Sequence, residues 1–439
     1  MDKKKLLIVI VVVVLLILVV LYAILKRGSG GDGNSSGEQV ELTYWGLWEP
    51  PEHMEAVIAA FEEENPNIKI NYAQKRFTQY EDNVYSAIDD PQTTPDIIRI
   101  NNAWTYKFQS KLSRVPPEVM SVAEYEQTFY PAAKNDFIGS DDYLYAIPLE
   151  IDGLGMYYNK DLFAQANIDE PPTDWDTLIE DAIALTKTDS SGEITQAGAG
   201  IGCSNNVNHS ADILTALMLL NNVSMNDSDG LLAAFNTDEG QISLEYYTSF
   251  VETHKVWDCT LRTDLDMFAN GKLAIMFAPS WRVFDIINMN SSINFDTAPF
   301  PQLPGNEEPT YYGMYWGEAV SVKSSHQLEA WKFIKFLSEK EQLMTMYDAA
   351  SDNRAFGEPF SRQDLADEIA ASAYVGSFIE MAPNYVGWHI GDQKTTEAAL
   401  NKAISDVSEG RNTSSAALEE ALTTVNEKMS ELYGETTAP

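Results

Sequence analysis

From residue 40 onward, apolar residues recur with two alternating periods. VELTYW (40–45) reads as a strand. In MEAVIAAFEEE, Met54, Val57, Ile58 and Phe61 fall on one helical face, and Pro66 follows the helix end. IKINY alternates Ile68, Ile70 and Tyr72, the period-two pattern of a half-buried strand. YEDNVYSAI returns to helical spacing with Tyr80, Val84 and Ile88, and PDIIRI (95–100) is a short buried strand. Strand, helix, strand, helix, strand predicts an α/β layer with parallel strands. A new section opens at LYAIPLEIDGLGMYYNKDLF (144–163), with a short strand ending at Pro148. PPTDWDTLIEDAIALT follows as a helix with a Thr173–Asp176 capping box and a stripe of Trp175, Ile179, Ala182 and Leu185. Helical segments fill 210–255, and strands are predicted in 270–281 and 311–322. A helix pair with a Ser338–Glu341 capping box covers 324–342, and two amphipathic helices cover 395–433, the first ending at Gly410. These segments predict two α/β lobes, with the chain crossing between them more than once.

The first 27 residues have a different pattern. MDKKK is basic, LLIVIVVVVLLILVVLYAIL (6–25) carries no charge, and Lys26 and Arg27 close the run. Twenty residues at about 1.5 Å each span about 30 Å, the thickness of a bilayer core. The run has no A-x-A cleavage site and no cysteine for a lipid, so an uncleaved single-pass anchor fits better than a cleavable signal. Lys3, Lys4 and Lys5 favour a cytoplasmic N-terminus, with the rest of the chain outside the membrane. GSGGDGNSSGEQ (28–39) is a flexible tether.

A formal charge of −37 argues against nucleic-acid binding and favours a soluble monomeric body. Two cysteines, Cys203 and Cys259, leave both a disulfide and two buried thiols open.

Catalytic and metal motifs fail on spacing. MNDSDG (225–230) resembles a calcium loop, but Met225 occupies its first ligand position and Asn236 its twelfth. The sequence has no H-E-x-x-H, G-x-S-x-G, Walker loop or G-x-G-x-x-G. No metal, cofactor or catalytic residue is expected, and the reading is a binder rather than an enzyme, with a binder of a peptide or polyamine, or an exported glycoside-active enzyme using two of the many carboxylates, as the alternatives. Instead, aromatic residues gather at strand ends, where α/β folds place their ligands. Trp45 and Trp48 follow the first strand, and Trp104 with Asn101 and Asn102 follows the third. Trp281 and Arg282 follow KLAIMFAPS, and Tyr311, Tyr312, Tyr315 and Trp316 crowd a later strand. Tyr385 and Trp388 lie in a segment containing Gly and Pro. Each tryptophan alone could be a core filler. Together, flat rings beside polar side chains suit a carbohydrate, whose C–H faces lie on indole while its hydroxyls meet Asp, Glu, Asn and Arg.

These stretches resemble a known family. LTYWGLWEPPEHMEAVIAAFEEENPNIKINY, TPDIIRINNAW, GMYYNKDLF (155–163), PPTDWDTLIE, FANGKLAIMFAPSW and AWKFIKFLSEKEQ are similar, in order, to segments of extracellular solute-binding proteins of ABC importers, in the sugar-binding group that includes maltose-binding protein. Glu150 and Gln165 depart from the usual signature, and the lipid-attachment cysteine is missing. The resemblance implies a periplasmic-binding-protein-like α/β fold of two lobes joined by a hinge, with a ligand cleft between them, here preceded by the N-terminal transmembrane helix. Residues 40–148 plus about 276–325 would form lobe 1, and 149–275 plus about 326–439 lobe 2. The resemblance further implies a sugar or other small solute as ligand, ABC permease transmembrane subunits as partners, and no cofactor. It places Trp45, Trp48 and Glu49 on the first lobe's cleft wall, with Asn102 and Trp104 after the third strand. Asp152 falls just past the crossing. Trp281, Arg282, Tyr312 and Trp316 come from later strands, and Arg354 and Trp388 from the second lobe. For Asp152 and Arg354 an ordinary surface or interlobe ion pair is the alternative.

Overall fold

The computed structural model describes residues 39–90, 93–306 and 308–434. The predicted anchor and most of the tether lie outside the described residues. No helix among the described residues is long and apolar enough to cross a membrane.

Two five-stranded sheets organise the body, one to each lobe. The first has the order Ile68–Gln74, Val40–Gly46, Ile97–Asn101, Trp316–Val320, Ile147–Pro148. The second has the order Lys187–Thr188, Ile194–Ala199, Leu273–Ala278, Gly155–Asn159, Phe295–Ala298. Central strands such as Leu273–Ala278 are buried on both faces and are therefore apolar throughout. The helix Pro51–Glu64 starts where Pro50 holds an extended backbone and Pro51 fills the first helical position, which needs no N–H partner. It buries Met54, Val57 and Phe61.

The sheets are mixed rather than purely parallel. Val40–Gly46 runs parallel to Ile97–Asn101, but Trp316–Val320 is antiparallel to both of its neighbours. This strand arrives from the other lobe rather than over a crossover helix, so it enters the sheet from the opposite end. The predicted strand at 311–322 is in fact split. Tyr311–Tyr312 pairs with Tyr385–Val386 in a two-stranded ribbon, and Trp316–Val320 joins the first sheet. The lobe boundaries shift accordingly. Leu273–Ala278 and Phe295–Ala298 belong to the second sheet, so the chain returns to the first near Trp316 rather than near 276. The helix Gln327–Leu337 then packs on Trp316–Val320, and Lys340–Ser351 packs on Pro51–Glu64, both within the first lobe. The helices Gln393–Ser408 and Ser414–Gly434 cover Asp238–Glu252 in the second lobe.

Both predicted capping boxes moved. Asp174, not Thr173, caps Trp175–Leu185 by accepting from the Thr177 amide, and the buried stripe uses Leu178 in place of Ile179. Ser338 bonds back to the Lys335 carbonyl, and Glu339 precedes the next helix without a side-chain cap.

Three chain segments join the lobes. Residues 149–154 leave the first sheet, 313–315 return to it, and 359–361 pair with 149–151 through Ile151 N–H to Pro359 and Ser361 N–H to Leu149. Gly153 bridges Gly313 between the first two. A Cβ on Gly153 would lie 2.2 Å from the Tyr385 ring and 2.5 Å from the Tyr312 carbonyl, so only glycine permits this approach.

Candidate ligand-binding cleft

The loop after the first strand presents Trp48, which is 41% exposed. Its ring meets Trp316 edge-on at 5.0 Å and Phe77 at 5.9 Å, and Phe77 is itself 53% exposed. Trp316 in turn meets Trp104 at 5.0 Å. The outer members of this stack, Trp48 and Phe77, offer apolar faces to solvent. Trp104 lies behind them, 2% exposed and stacked on Phe108, so it supports the wall as a core residue rather than facing a ligand. Trp45 is also set back. It is half-buried on its strand, with the Lys75 ammonium 4.0 Å over its ring. From the second lobe, Trp281 presents a ring that is 43% exposed. The Arg282 guanidinium stacks on that ring at 4.2 Å and also bonds Asp285 and His209.

A small pocket opens beside the hinge, lined by Glu49, His53, Arg99, Glu150, Arg354 and Glu358 among others. Arg99 is one of its buried walls. It donates to Glu49 at 2.8 Å and, through Nε, to Glu318 at 2.6 Å. Burial opposes ionisation of Glu49, but the Arg99 guanidinium outweighs it and holds the carboxyl below its usual range. Burial pushes Glu318 up to about 7 despite the same arginine. Glu150 is pushed well up by burial, with Arg99 opposing and Glu358 and Glu49 reinforcing. Arg354 pairs with Glu358 and lies over the Phe284 ring of the second lobe.

A second small pocket lies where the two lobes meet the ribbon. Asn101 and Asn102 line it from the first lobe, Tyr312 from the ribbon, and Asp212, Trp388 and Glu397 from the second lobe. Asn102 also holds the lobe junction together. Its amide donates to Asp136 at 2.9 Å and to the Gly313 carbonyl, and its oxygen accepts from the Tyr315 amide. Asp212 accepts from or bonds to His209 at 2.9 Å, which links this cavity to Arg282 and Trp281.

The structure thus gathers Glu49 with Arg354, and Asn102 with Tyr312 and Trp388. Trp48 and Trp316 lie together on the first lobe. Asp152 is a strap rather than an open ligand group. It accepts from the Ser280 amide and hydroxyl, the latter at 2.8 Å, and from the Gly153 amide. This fastens the first crossing to the end of Leu273–Ala278. It makes no ion pair with Arg354, whose partner is Glu358. Sequence reasoning missed Arg99, Glu358, Asp212 and Glu397, and read Glu150 only as a departure from a signature. The signal available for Arg99 was a charge inside the otherwise apolar strand PDIIRI, which a buried strand tolerates only with a partner.

The architecture is that of a two-lobed binding protein. A cyclo/maltodextrin-binding protein in complex with maltotetraose superposes with a TM-score of 0.74 at 17% identity, covering 90% of this chain and 99% of the other. The sugar-binding protein MalE of Xanthomonas citri gives 0.74 at 18% identity, covering 91% and 100%. In sequence, the maltodextrin-binding protein MdxE of Bacillus subtilis is 23% identical over 322 residues, 67% of this chain and 69% of that protein. A maltooligosaccharide ABC transporter solute-binding lipoprotein of Streptococcus pneumoniae is 24% identical over 303 residues, 66% and 67% of the two chains. Residues 48–344 match the profile of the bacterial extracellular solute-binding proteins, and the chain belongs to that family.

Proposed function

We propose that this protein captures a carbohydrate, an oligosaccharide, between its lobes by hinge closure and delivers it to an ABC permease. The observation that carries the ligand class is that exposed rings stand on both lobes, beside pockets rich in hydrogen-bonding groups near the hinge. Trp48 and Phe77 face out from one lobe and Trp281 from the other, and the two cavities mix carboxylates, amides and guanidinium. Rings take the C–H faces of a sugar, and a mixture of donors and acceptors takes its hydroxyls. The relatives in Bacillus subtilis and Streptococcus pneumoniae, a maltodextrin-binding protein and a maltooligosaccharide solute-binding lipoprotein, support the same class. Trp48, Glu49, Trp281, Arg282 and Arg354 would touch the sugar, and Asn102, Tyr312, Trp316 and Trp388 would shape its walls.

Contacts with both lobes would favour the closed form. The apolar run 6–25 would hold the protein in the membrane as a single-pass anchor, with its body on the outer side. The tether would raise its effective concentration near the permease. Titration calorimetry with a panel of linear maltooligosaccharides, and with spermidine and a peptide library as controls, tests the reading. Saturable heat with an oligosaccharide is expected, with no hydrolysis of a chromogenic glycoside. Heat from spermidine or peptides alone would replace the sugar with another solute.

A further inference from the structure

Trp281 and Arg282 stand at the N-terminus of the helix Arg282–Met289. His209 reaches them from the start of another helix, Ser210–Leu220. Its ring is bonded through both nitrogens. Nε2 lies 3.1 Å from Nη2 of Arg282, and Nδ1 lies 2.9 Å from the Asp212 carboxylate. The Trp281 indole meets the same ring edge-on at 6.0 Å. The partners decide where the proton is. A guanidinium can only donate, and an ionised carboxylate can only accept. Nε2 therefore carries the lone pair and Nδ1 the proton, so the ring is neutral and in one tautomer. A second proton would keep the bond to Asp212 but turn Nε2 into a donor aimed at another donor, with like charges 3.1 Å apart.

We propose that His209 is the positioning residue of the second lobe's ligand wall: as the neutral Nδ1–H tautomer it holds Arg282 over Trp281, and its protonation in mildly acid solution releases the arginine and weakens capture of the sugar. The inference rests on the reading of Trp281 and Arg282 as ligand contacts. Arg282 is held from three sides. Asp285 accepts from Nη1 at 2.8 Å, the indole lies under the guanidinium at 4.2 Å, and His209 accepts from Nη2. Without the His209 lone pair only the charge of Asp285 directs the group, and its place over the ring is no longer fixed. The charged groups around the imidazole are Asp212 on its own helix, Arg282 opposite, and Asp264 and Glu397 on the helices Asp264–Ala269 and Gln393–Ser408. The three carboxylates attract a second proton to the ring and Arg282 repels it, so the acid form is within reach and the arginine is the contact it sacrifices. Asp212 also lines the pocket beside the ribbon, so the same ring ties that pocket to the exposed indole.

The test uses the full chain in detergent, labelled with nitrogen-15 histidine. Nitrogen NMR at about pH 7.5 should show a neutral ring protonated at Nδ1, and that signal should vanish in His209→Gln, which assigns it. Calorimetry then follows the tightest-binding maltooligosaccharide at about pH 7.5 and about pH 5. The parent should bind about tenfold more weakly at the lower pH, the loss expected for one charge-assisted hydrogen bond. His209→Gln keeps a neutral acceptor for Arg282, so its affinity should change by less than about threefold between the two. His209→Ala has no acceptor and should bind about tenfold more weakly than the parent at the higher pH, and more weakly than His209→Gln. A His209 ring protonated at Nε2 at the higher pH would overturn the inference, whether or not the alanine variant folds. So would a parent affinity that does not fall in acid. A fall of equal size in His209→Gln would overturn it too, by tracing the effect to other titrating groups. Saturable binding without pH dependence would leave the proposed function standing, whereas no saturable heat with any oligosaccharide would overturn that reading and this inference with it.

Discussion

Trp48, Trp281 and Trp104 have the same side chain in three environments, and their substitutions should separate by which property they change. Trp48 and Trp281 leave their rings largely open, whereas Trp104 is buried between Trp316 and Phe108. Replacing Trp281 with Ala should weaken oligosaccharide binding about tenfold, or ~1.4 kcal/mol. Its stability should change by less than about 1 kcal/mol, because little buried surface is lost. Trp48→Ala should behave in the same way. Trp104→Ala should instead cost about 3–5 kcal/mol of stability, because a large ring leaves a cavity in packed surroundings. Urea unfolding measures the stability and calorimetry the affinity. Equal loss of stability in all three variants would show that the exposed rings are part of the wall's packing. The first strand alternates faces, so Trp45 lies on the sheet under Lys75, and Trp48, three residues on in the loop, is the ring left open.

At the scale of elements, local pattern was a good guide and long-range pairing was not. The strand of Ile68 and Ile70 and the helix of Tyr80, Val84 and Ile88 were legible because their periodicity is a local property. The antiparallel entry of Trp316–Val320 was not legible, because it depends on where the chain comes from rather than on its own residues. The same holds for Glu358, which meets Glu49 and Glu150 only in the fold. Cys203 and Cys259 belong with these long-range pairs. They form a disulfide across a sequence separation of 56 residues, and Cys203 receives the Tyr247 hydroxyl at its carbonyl. Closing a loop of that length stabilises a fold by about 4 kcal/mol in the chain-entropy view. Cys203→Ser with Cys259→Ser should therefore lower the stability of the second lobe by a similar amount. Thermal melting of the double variant, and of the parent under reductant, checks this. An unchanged transition would mean that the loop is already restrained by its packing.

Across the whole molecule, four buried acids, Asp136, Glu150, Asp152 and Glu318, lie at or beside the junction of the lobes. Asp152 and Glu150 lie on the first crossing, and Glu318 on the strand that returns from the second lobe. Asp136 accepts from Asn102 and from the Tyr315 hydroxyl at 2.6 Å, which fastens it to the returning segment. Burial raises Asp136 to about 6 and both Asp152 and Glu318 to about 7, and it raises Glu150 as well. Each group binds its proton more tightly folded than unfolded, where carboxyls titrate near about 4. Their stabilising contribution is therefore complete below about pH 4 and is lost as the pH rises through 6 and 7. Carboxyls held low, such as Asp141, Asp364 and Asp406, act in the opposite direction, but below the ordinary carboxyl range. Between these windows the acids raised by burial, the junction four together with Glu81, Asp181, Asp264 and Glu397, set the slope, so the protein should unfold at higher urea at pH 5 than at pH 8. Asp152→Asn keeps a neutral hydrogen-bonding group beside Ser280 and should flatten that slope. A stability that rises from pH 5 to pH 8, or a slope unchanged in Asp152→Asn, would show that these acids stay ionised in the fold. The consequence would reach the lobe junction, since Glu150 and Asp152 lie on the first crossing segment.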